Sequence, residues 1–148
     1  MHRTKTGKLC FIGVVSESGE REARIRIFPK FCVGLKGIAA SSHLFILYWM
    51  NLRDTVDERK TLLVHPKGRK SRAKVGVFAC RSPSRPNPIG LCVVQLLKVD
   101  GRILTVKGLD AFEGSPILDI KPYIPKLDSI PAAQVSKLTD KSLAIRAS

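Results

Sequence analysis

The chain has 148 residues, of which 44% are hydrophobic and 26% are charged, and its formal net charge is +14. This composition excludes a disordered chain, and the length favours one domain with a single hydrophobic core. A positive charge of this size repels itself unless a polyanion or an anionic surface neutralises it, so nucleic acid is the first partner to consider.

We recognise no targeting signal and no closely spaced cysteine pair in the sequence. No apolar run reaches the roughly 18 residues that a membrane-spanning helix needs, and the basic N-terminus lacks the apolar core of a signal peptide. The cysteines have apolar neighbours and no CxxC spacing, which predicts buried thiols, no disulfide and no metal site. We therefore expect a soluble protein of the reducing cytoplasm, with no membrane partner. The cysteines are Cys10, Cys32, Cys80 and Cys92.

The first part of the chain predicts three strands. Residues 1–8 are polar and we expect them to be frayed, whereas the short apolar run Leu9–Ser16 is typical of a buried strand. From Ala23 the sequence ARIRIFPKF alternates isoleucine with arginine, which predicts a half-buried strand that Pro29 ends or places at an edge. The apolar run Leu44–Leu52 fits either a fully buried strand or a helix, and we choose the strand.

The second part adds further strands and a hairpin. The runs Thr61–Pro66 and Val75–Cys80 are short and apolar, and so is Leu91–Val99. The Asp-Gly pair that begins at Asp100 is a strong hairpin signal, and it joins this last run to Ile103–Leu109. About seven short strands, without a long amphipathic helix, predict an all-β fold that is a small closed or nearly closed β-barrel.

The domain organisation follows from these elements. We expect a single domain at residues 9–130, after a frayed basic N-terminus at residues 1–8 and before a C-terminal extension at residues 131–148. The sequence has no GxGxxG after a strand, no P-loop, no HExxH and no GxSxG. It therefore gives no support to a Rossmann cofactor site, nucleotide hydrolysis, zinc hydrolysis or serine acyl transfer.

A proline-rich segment, RSPSRPNPIG at Arg81–Gly90, combines stiffness with polarity. Its three prolines fix φ and push the residues before them toward extended conformations, so the segment is a stiff loop. Preorganised arginine and asparagine side chains suit anions and adenine edges, and Arg81, Arg85 and Asn87 are the candidates. A plain connector whose arginines meet only water is an equally good interpretation of the local sequence.

The middle of the chain is basic. Between Glu58 and Asp100 there is no acidic residue, and the densest run is KGRKSRAK at Lys67–Lys74. Such a run can track RNA phosphates, although a solvated hairpin tip is the more common outcome for a charge run alone. Its position just before the proline loop favours the phosphate-binding interpretation. The basic side chains that we assign to substrate binding here are Lys67, Arg69, Lys70 and Arg72.

A second polar stretch follows the hairpin, in LDAFEGSPILDIKPYIP at Leu109–Pro125. If its second half is a strand, Asp119 and Lys121 share one face, whereas Leu118 and Ile120 lie on the other and indicate burial there. A simple Asp–Lys ion pair is a more ordinary interpretation than catalysis for either charged residue.

Taken together, these motifs resemble one protein family. R-S-x-x-R-P-N-P-I-G is followed by L-D-x-x-[DE]-G-[ST]-P-[IV]-[LV]-D-I-K-P-Y-[IL]-P, and S-H-L-x-I-L and G-V-F-A-x-R-S lie upstream. From about Gly34 to Pro125 the chain is similar to the TsaA-like (TrmO) proteins. The resemblance implies a compact β-barrel, an S-adenosylmethionine-dependent methyltransferase and a tRNA substrate. It also implies methylation at N6 of threonylcarbamoyladenosine beside the anticodon, with the cofactor bound near a homodimer interface.

The resemblance also implies site residues. Arg85 and Asn87 fall on the substrate side, and Lys121 is a further substrate-binding candidate. We place Asn87, Asp119 and Tyr123 as candidate catalytic residues, the last two because the N6 proton must leave and no residue is an obvious base. No metal is expected. The residues that correspond to the family's cofactor contacts are Asn51, Leu52, Arg81, Leu91, Leu109, Asp110, Ala111 and Phe112.

Two departures from the family pattern keep other hypotheses open. The family's longer loop after the first strand carries a P-R-Q cofactor contact that is missing here, and Ser41 and Ser84 stand where the family tends to carry phenylalanine. A non-catalytic RNA-binding barrel without the cofactor site is therefore the second hypothesis. A methyltransferase for a small molecule is the third, and the net charge of +14 argues against it.

Overall fold

The computed structural model describes residues 6–65 and 73–135. The chain divides into two compact units. The first, the barrel unit, comprises Met1–Trp49 and Leu91–Tyr123. The second, the loop unit, comprises Met50–Gly90 and Ile124–Ser148.

Within the described ranges the chain forms eight strands, two short α-helices and four 3-10 helices. The strands are β1 (Gly13–Glu17), β2 (Ala23–Ile27), β3 (His43–Trp49), β4 (Leu63–Val64), β5 (Val75–Gly76), β6 (Ile89–Asp100), β7 (Ile103–Lys107) and β8 (Pro116–Pro122). The helices are α1 (Val56–Lys60) and α2 (Pro125–Asp128), and the 3-10 helices are Pro29–Leu35, Ile38–Ala40, Asn51–Arg53 and Val77–Ala79.

Six strands close into a barrel in the order β1-β2-β7-β6-β3-β8, which confirms the predicted all-β barrel. The count of about seven strands is slightly wrong, because β4 and β5 pair with each other in a separate two-stranded sheet. The apolar run Val75–Cys80 was predicted as one strand, but only Val75–Gly76 is extended and a 3-10 helix follows. These short runs therefore belong to the loop unit and not to the barrel wall.

The alternation read from the sequence places the core of the barrel. In β2, Ala23, Ile25 and Ile27 are buried, whereas Arg24 and Arg26 are exposed, as predicted. Strand β3 is a strand, as chosen, but it alternates between buried and partly exposed residues instead of being buried on both faces. Each fully buried aliphatic side chain contributes about 1.5–3 kcal/mol of hydrophobic stabilisation. The aliphatic core residues with at most 1% exposure include Val15, Ile25, Ile27, Leu44, Ile46, Val94, Leu104, Val106 and Ile117.

A bulge in β8 corrects one predicted face. Leu47 pairs with Asp119, but the next residue, Tyr48, pairs with Ile117, so Leu118 is an extra residue on the β8 side. The bulge reverses the alternation, and Ile117 rather than Leu118 joins the buried face. Asp119 and Lys121 still share one face, as predicted.

The Asp-Gly hairpin signal is confirmed between β6 and β7. Asp100 pairs with Ile103, which leaves Gly101 and Arg102 as the two turn residues. Gly101 has φ 56°, a conformation that side chains with a Cβ rarely adopt. It occupies the first central position, where type II′ turns favour glycine.

Helix α1 forms where the sequence predicted only a polar connection. Thr55 is its N-cap and accepts a hydrogen bond at 3.2 Å from the backbone N–H of Glu58. Asp57 and Glu58 lie in the first turn and Arg59 and Lys60 in the last, which suits the helix dipole. A Thr-x-x-Glu capping box was therefore present in the sequence and would have predicted this helix.

The cysteines remain thiols, but they are not all buried. Cys92 is buried and Cys32 and Cys80 are half-buried, whereas Cys10 is exposed because it precedes the first strand. Among the described residues no group of three or more His, Cys, Asp or Glu side chains could hold a metal ion. In the same part of the chain, no helix is long and apolar enough to cross a membrane.

Candidate functional site

The proline loop, residues 81–90, is braced from inside by Arg85. The Arg85 Nε donates a hydrogen bond to the carbonyl of Ser82 at 2.6 Å. Its Nη2 donates to the carbonyls of Val77 and Cys80, both at 2.8 Å. These contacts tie the loop to the 3-10 helix Val77–Ala79 before it, so the loop is held by a charged donor as well as by its prolines.

A second brace joins the proline loop to α1. Ser84 is 5% exposed, and its hydroxyl donates to the carboxylate of Glu58. Arg53 Nη2 lies 2.9 Å from Glu58 Oε1 and donates to Ser84 Oγ at 3.2 Å. The Glu58 carboxylate, the Arg53 guanidinium and the buried Ser84 hydroxyl therefore satisfy one another's hydrogen-bonding capacity.

A third brace holds the C-terminal half of the proline loop. Arg59 donates through Nε to Asp54 Oδ1 at 2.5 Å and through Nη1 to the Pro86 carbonyl at 2.9 Å. The hydrogen bond that Arg59 donates to Asp54 raises the pKa of the guanidinium, which therefore stays charged. The backbone N–H of Met50 donates to the Pro88 carbonyl at 2.7 Å, which fixes the loop next to the 3-10 helix Asn51–Arg53.

The loop unit thus brings several predicted site residues onto connected, braced elements. Asn51 and Leu52 are exposed on their 3-10 helix, and Leu52 is 68% exposed. Arg81 and Asn87 are exposed on the proline loop. Arg85, in contrast, is only half-exposed and directs its Nε and Nη2 to backbone carbonyls.

The barrel unit holds the predicted residues 109–112 in a short loop between β7 and β8. Tyr48 donates its hydroxyl hydrogen to the Asp110 carbonyl, and Ser18 Oγ donates to the Ala111 carbonyl at 3.0 Å. Ala111 is 8% exposed, whereas Phe112 is 73% exposed. These two hydrogen bonds anchor the backbone of the loop, whereas the side chains of Asp110 and Phe112 are exposed.

Leu91 belongs to the same part of the barrel unit. The thiol of Cys92, the residue after Leu91, donates to the Gly108 carbonyl at 2.9 Å. Gly108 immediately precedes the loop, and Leu91 itself is 44% exposed on β6. Leu91 is therefore adjacent in sequence to a thiol that contacts the start of this loop. An exposed carboxylate together with exposed apolar side chains can bind a ligand that has both polar and flat apolar parts.

The candidate catalytic residues Asp119, in β8, and Tyr123, directly after it, have structural partners. Lys121 Nζ lies 2.9 Å from Asp119 Oδ2, which is the ion pair expected on ordinary grounds. Asp119 Oδ1 accepts a hydrogen bond from the backbone N–H of Ile120 at 2.9 Å. The Tyr123 ring packs against Phe45 with their centroids 5.4 Å apart. A proton-transfer role for Asp119 or Tyr123 stays a prediction.

Some residues fall outside these descriptions, and others were missed. Lys67, Arg69, Lys70 and Arg72 lie outside the described residues. Sequence reasoning missed the bracing roles of Arg53, Glu58 and Arg59. Only Glu58 had a local signal, as the last residue of the capping box.

Comparison with known proteins identifies the fold and the family. The family model described as the tRNA-methyltransferase O N-terminal domain matches residues 15–129. A Methanothermobacter thermautotrophicus protein named a probable S-adenosyl-L-methionine-binding protein is 50% identical over 109 residues, which are 74% of this chain and 74% of that protein. The Escherichia coli tRNA (adenine(37)-N6)-methyltransferase is 41% identical over 106 residues, covering 69% of this chain and 44% of that enzyme.

A solved structure agrees with the closed barrel. The crystal structure of TrmO from Pseudomonas aeruginosa matches with a TM-score of 0.68 and 26% identity, and covers 90% of this chain and 63% of that one. The chain thus spans less than two thirds of the length of this structure and of the E. coli relative. Since the family model matches well over half of the chain, the chain belongs to the TsaA-like (TrmO) family, whose model is the tRNA-methyltransferase O N-terminal domain.

Proposed function

We propose that this chain is an S-adenosylmethionine-dependent tRNA methyltransferase that acts on N6 of adenosine. The observation that carries the proposal is the 41% identity to the E. coli protein named tRNA (adenine(37)-N6)-methyltransferase. The archaeal relative at 50% identity, named a probable S-adenosyl-L-methionine-binding protein, supports the choice of cofactor. The finer substrate that we propose is threonylcarbamoyladenosine beside the anticodon.

The side chains of the barrel unit fit the chemistry of this cofactor. The carboxylate of Asp110 can accept hydrogen bonds from the ribose hydroxyls or from the cofactor ammonium, and Leu91 and Phe112 offer apolar surface to its adenine. Leu109 and Ala111 are assigned to the same cofactor, which they contact in this proposal through the backbone of their loop. From the loop unit we assign Asn51, Leu52 and Arg81 to the same cofactor. When bound, the cofactor supplies an electrophilic methyl group on a sulfonium, so the contribution of the protein is chiefly positioning.

The substrate contacts are assigned to the basic part of the chain. The run with Lys67, Arg69, Lys70 and Arg72 contacts RNA phosphates in this proposal, and Lys121 adds a further positive charge. The Asn87 amide suits the edge of an adenine. Arg85 stays a substrate-binding candidate, although its hydrogen bonds to carbonyls make it first a positioning residue for the proline loop.

Methylation of N6 requires a proton acceptor. We keep Asp119 and Tyr123 as the candidate proton acceptors. Asn87 is the group that orients the adenine that receives the methyl group. Asp119 Oδ2 lies 2.9 Å from Lys121 Nζ, so a role as proton acceptor would require this ion pair to open. The proposal also includes a homodimer, a cytoplasmic location and a single functional domain at residues 9–130.

Calorimetry with S-adenosylmethionine, followed by methyl transfer from labelled cofactor to tRNA, tests the proposal. Binding and transfer by the wild-type chain support it. Arg81→Ala should weaken cofactor binding, whereas Arg26→Ala, which removes a charge that is also exposed but lies on β2, should not. Absence of binding at millimolar cofactor would overturn the methyltransferase hypothesis and leave the hypothesis of a non-catalytic RNA-binding barrel. Loss of affinity in both variants would mean that net charge, not the proposed site, attracts the cofactor.

A further inference from the structure

Phe78 is a large exposed aromatic residue on a fixed piece of backbone. It is 80% exposed, at the centre of the 3-10 helix Val77–Ala79 of the loop unit. The preceding residue, Val77, is 1% exposed, and its N–H donates to the Leu62 carbonyl at 3.0 Å. None of the predicted site contacts includes Phe78.

Both ends of this 3-10 helix are clamped by Arg85. The guanidinium donates to the carbonyl of Val77 before Phe78 and to that of Cys80 after it, each at 2.8 Å. The ring is therefore presented on a backbone that has little conformational freedom left to lose. Ordering costs on binding are small for such a side chain, because a phenylalanine has only two rotatable side-chain bonds.

The charge around Phe78 indicates what the ring binds. Lys74 precedes it by four residues and Arg81 follows it by three, and both are exposed. No acidic residue occurs between Glu58 and Asp100. Protein interfaces are depleted in lysine at their centre, whereas single-stranded nucleic acid is bound by aromatic rings among lysines and arginines.

We propose that Phe78 is a stacking platform for an unpaired base of the RNA substrate, with the exposed Lys74 close in sequence to neutralise a flanking phosphate. This inference rests on the proposed tRNA substrate and adds a positioning residue to it. Stacking on an aromatic face tolerates any base, so Phe78 contributes affinity and orientation instead of sequence choice.

The experiment measures binding of oligoadenylate and of an unmodified tRNA transcript to the full chain. Phe78→Ala should weaken binding by about 5- to 150-fold, and Phe78→Tyr and Phe78→Trp should restore it. Leu127→Ala removes an apolar side chain of the same unit that is 73% exposed, and should leave RNA binding unchanged. Fluorescence of Phe78→Trp should fall when oligoadenylate is added, beyond any change in the wild-type signal of Trp49.

Two results would overturn the inference. The first is unchanged RNA affinity in Phe78→Ala, and the second is an indole in Phe78→Trp that does not respond to saturating oligoadenylate. If unchanged RNA affinity in Phe78→Ala is accompanied by dissociation of an oligomer, the ring forms a protein contact instead, with the exposed Leu62 and Leu63 of the same unit as further apolar surface. Because these readouts need no methyl transfer, an inactive wild-type chain would count against the proposed function alone.

Discussion

Arg53 Nη2 lies 2.9 Å from Glu58 Oε1, and the hydroxyl of Ser84 contacts both side chains. This cluster links helix α1 to the proline loop within the loop unit. Ser84 is 5% exposed, so its hydroxyl depends on protein partners. The carboxylate is partly exposed, and solvent screening reduces the value of the ion pair itself.

Glu58→Ala should therefore destabilise the chain by about 1–2 kcal/mol, because it removes the acceptor of the buried Ser84 hydroxyl and the ion-pair partner of Arg53. Urea denaturation measures the change. Asp57→Ala removes the neighbouring carboxylate of α1, which is exposed, and should cost no more than about 0.5 kcal/mol. Equal losses in the two variants would show that the charge of the helix terminus matters and the Ser84 cluster does not.

Arg85 and Arg81 offer a matched comparison within one loop. Arg85→Lys keeps the charge but cannot reproduce the two nitrogens that reach three carbonyls, so it should cost about 1–3 kcal/mol. Arg81 is exposed, and Arg81→Lys should leave stability unchanged. Hydrogen exchange of residues 82–87 should accelerate only in Arg85→Lys. A stable Arg85→Lys variant would mean that the prolines alone hold the loop.

Local patterns predicted the barrel strands because they depend on local physics. The alternation in β2 and the Asp-Gly hairpin need only near neighbours to be interpreted. The bulge at Leu118 depends on the register against β3, which no local pattern specifies. The 3-10 helix Val77–Ala79 replaces an apolar β run, and part of its bracing comes from Arg85, eight residues further along the chain.

The candidate site was less accessible to sequence reasoning for the same reason. The motifs located the proline loop and the 109–112 loop, but not what holds each of them. Ser84 and Glu58 are 26 residues apart, and Tyr48 and Asp110 are 62 apart. Such pairs are formed by the tertiary fold, so no spacing rule indicates them. The sequence predicted Arg85 as a substrate-binding residue, and only the structure reveals that its side chain also donates to backbone carbonyls.

Gly13 lies where β1 and β2 approach closely. A Cβ at this position would come within 2.5 Å of the Arg26 carbonyl oxygen, and backbone cannot move aside cheaply in a closed barrel. Gly13→Ala should therefore cost about 1–3 kcal/mol. Gly34→Ala is the control, because a Cβ there meets nothing within 4 Å, and it should be neutral or slightly stabilising. Thermal unfolding of the two variants distinguishes a steric clash from a general effect of replacing glycine.

Tyr48 anchors the loop that carries the proposed cofactor contacts. Tyr48→Phe removes the hydroxyl that donates to the Asp110 carbonyl, at a cost of about 1 kcal/mol in stability. We expect weaker S-adenosylmethionine binding as well, because residues 109–112 lose one of their fixed points. Ser16→Ala removes a hydroxyl that donates to the backbone carbonyl of Arg24 instead, and should not change cofactor affinity. Calorimetry that gives equal affinities for wild type and Tyr48→Phe would refute this anchoring role.

Salt dependence distinguishes phosphate binding by specific side chains from diffuse attraction by the net charge. When the basic run before the proline loop binds RNA phosphates, counterions of the RNA should be released. Replacing the basic side chains of this run by neutral ones should therefore flatten the plot of log affinity against log salt concentration. Removing one side chain that neutralises a phosphate reduces the slope by about 0.7–0.9. A control with four exposed lysines replaced in the barrel unit changes the net charge equally and should leave the slope nearly unchanged. If the plot flattens equally in the test and the control variant, RNA phosphates contact the whole basic surface and not this run in particular. The serine substitutions are at Lys67, Arg69, Lys70 and Arg72 in the test variant, and at Lys30, Lys36, Lys98 and Lys107 in the control.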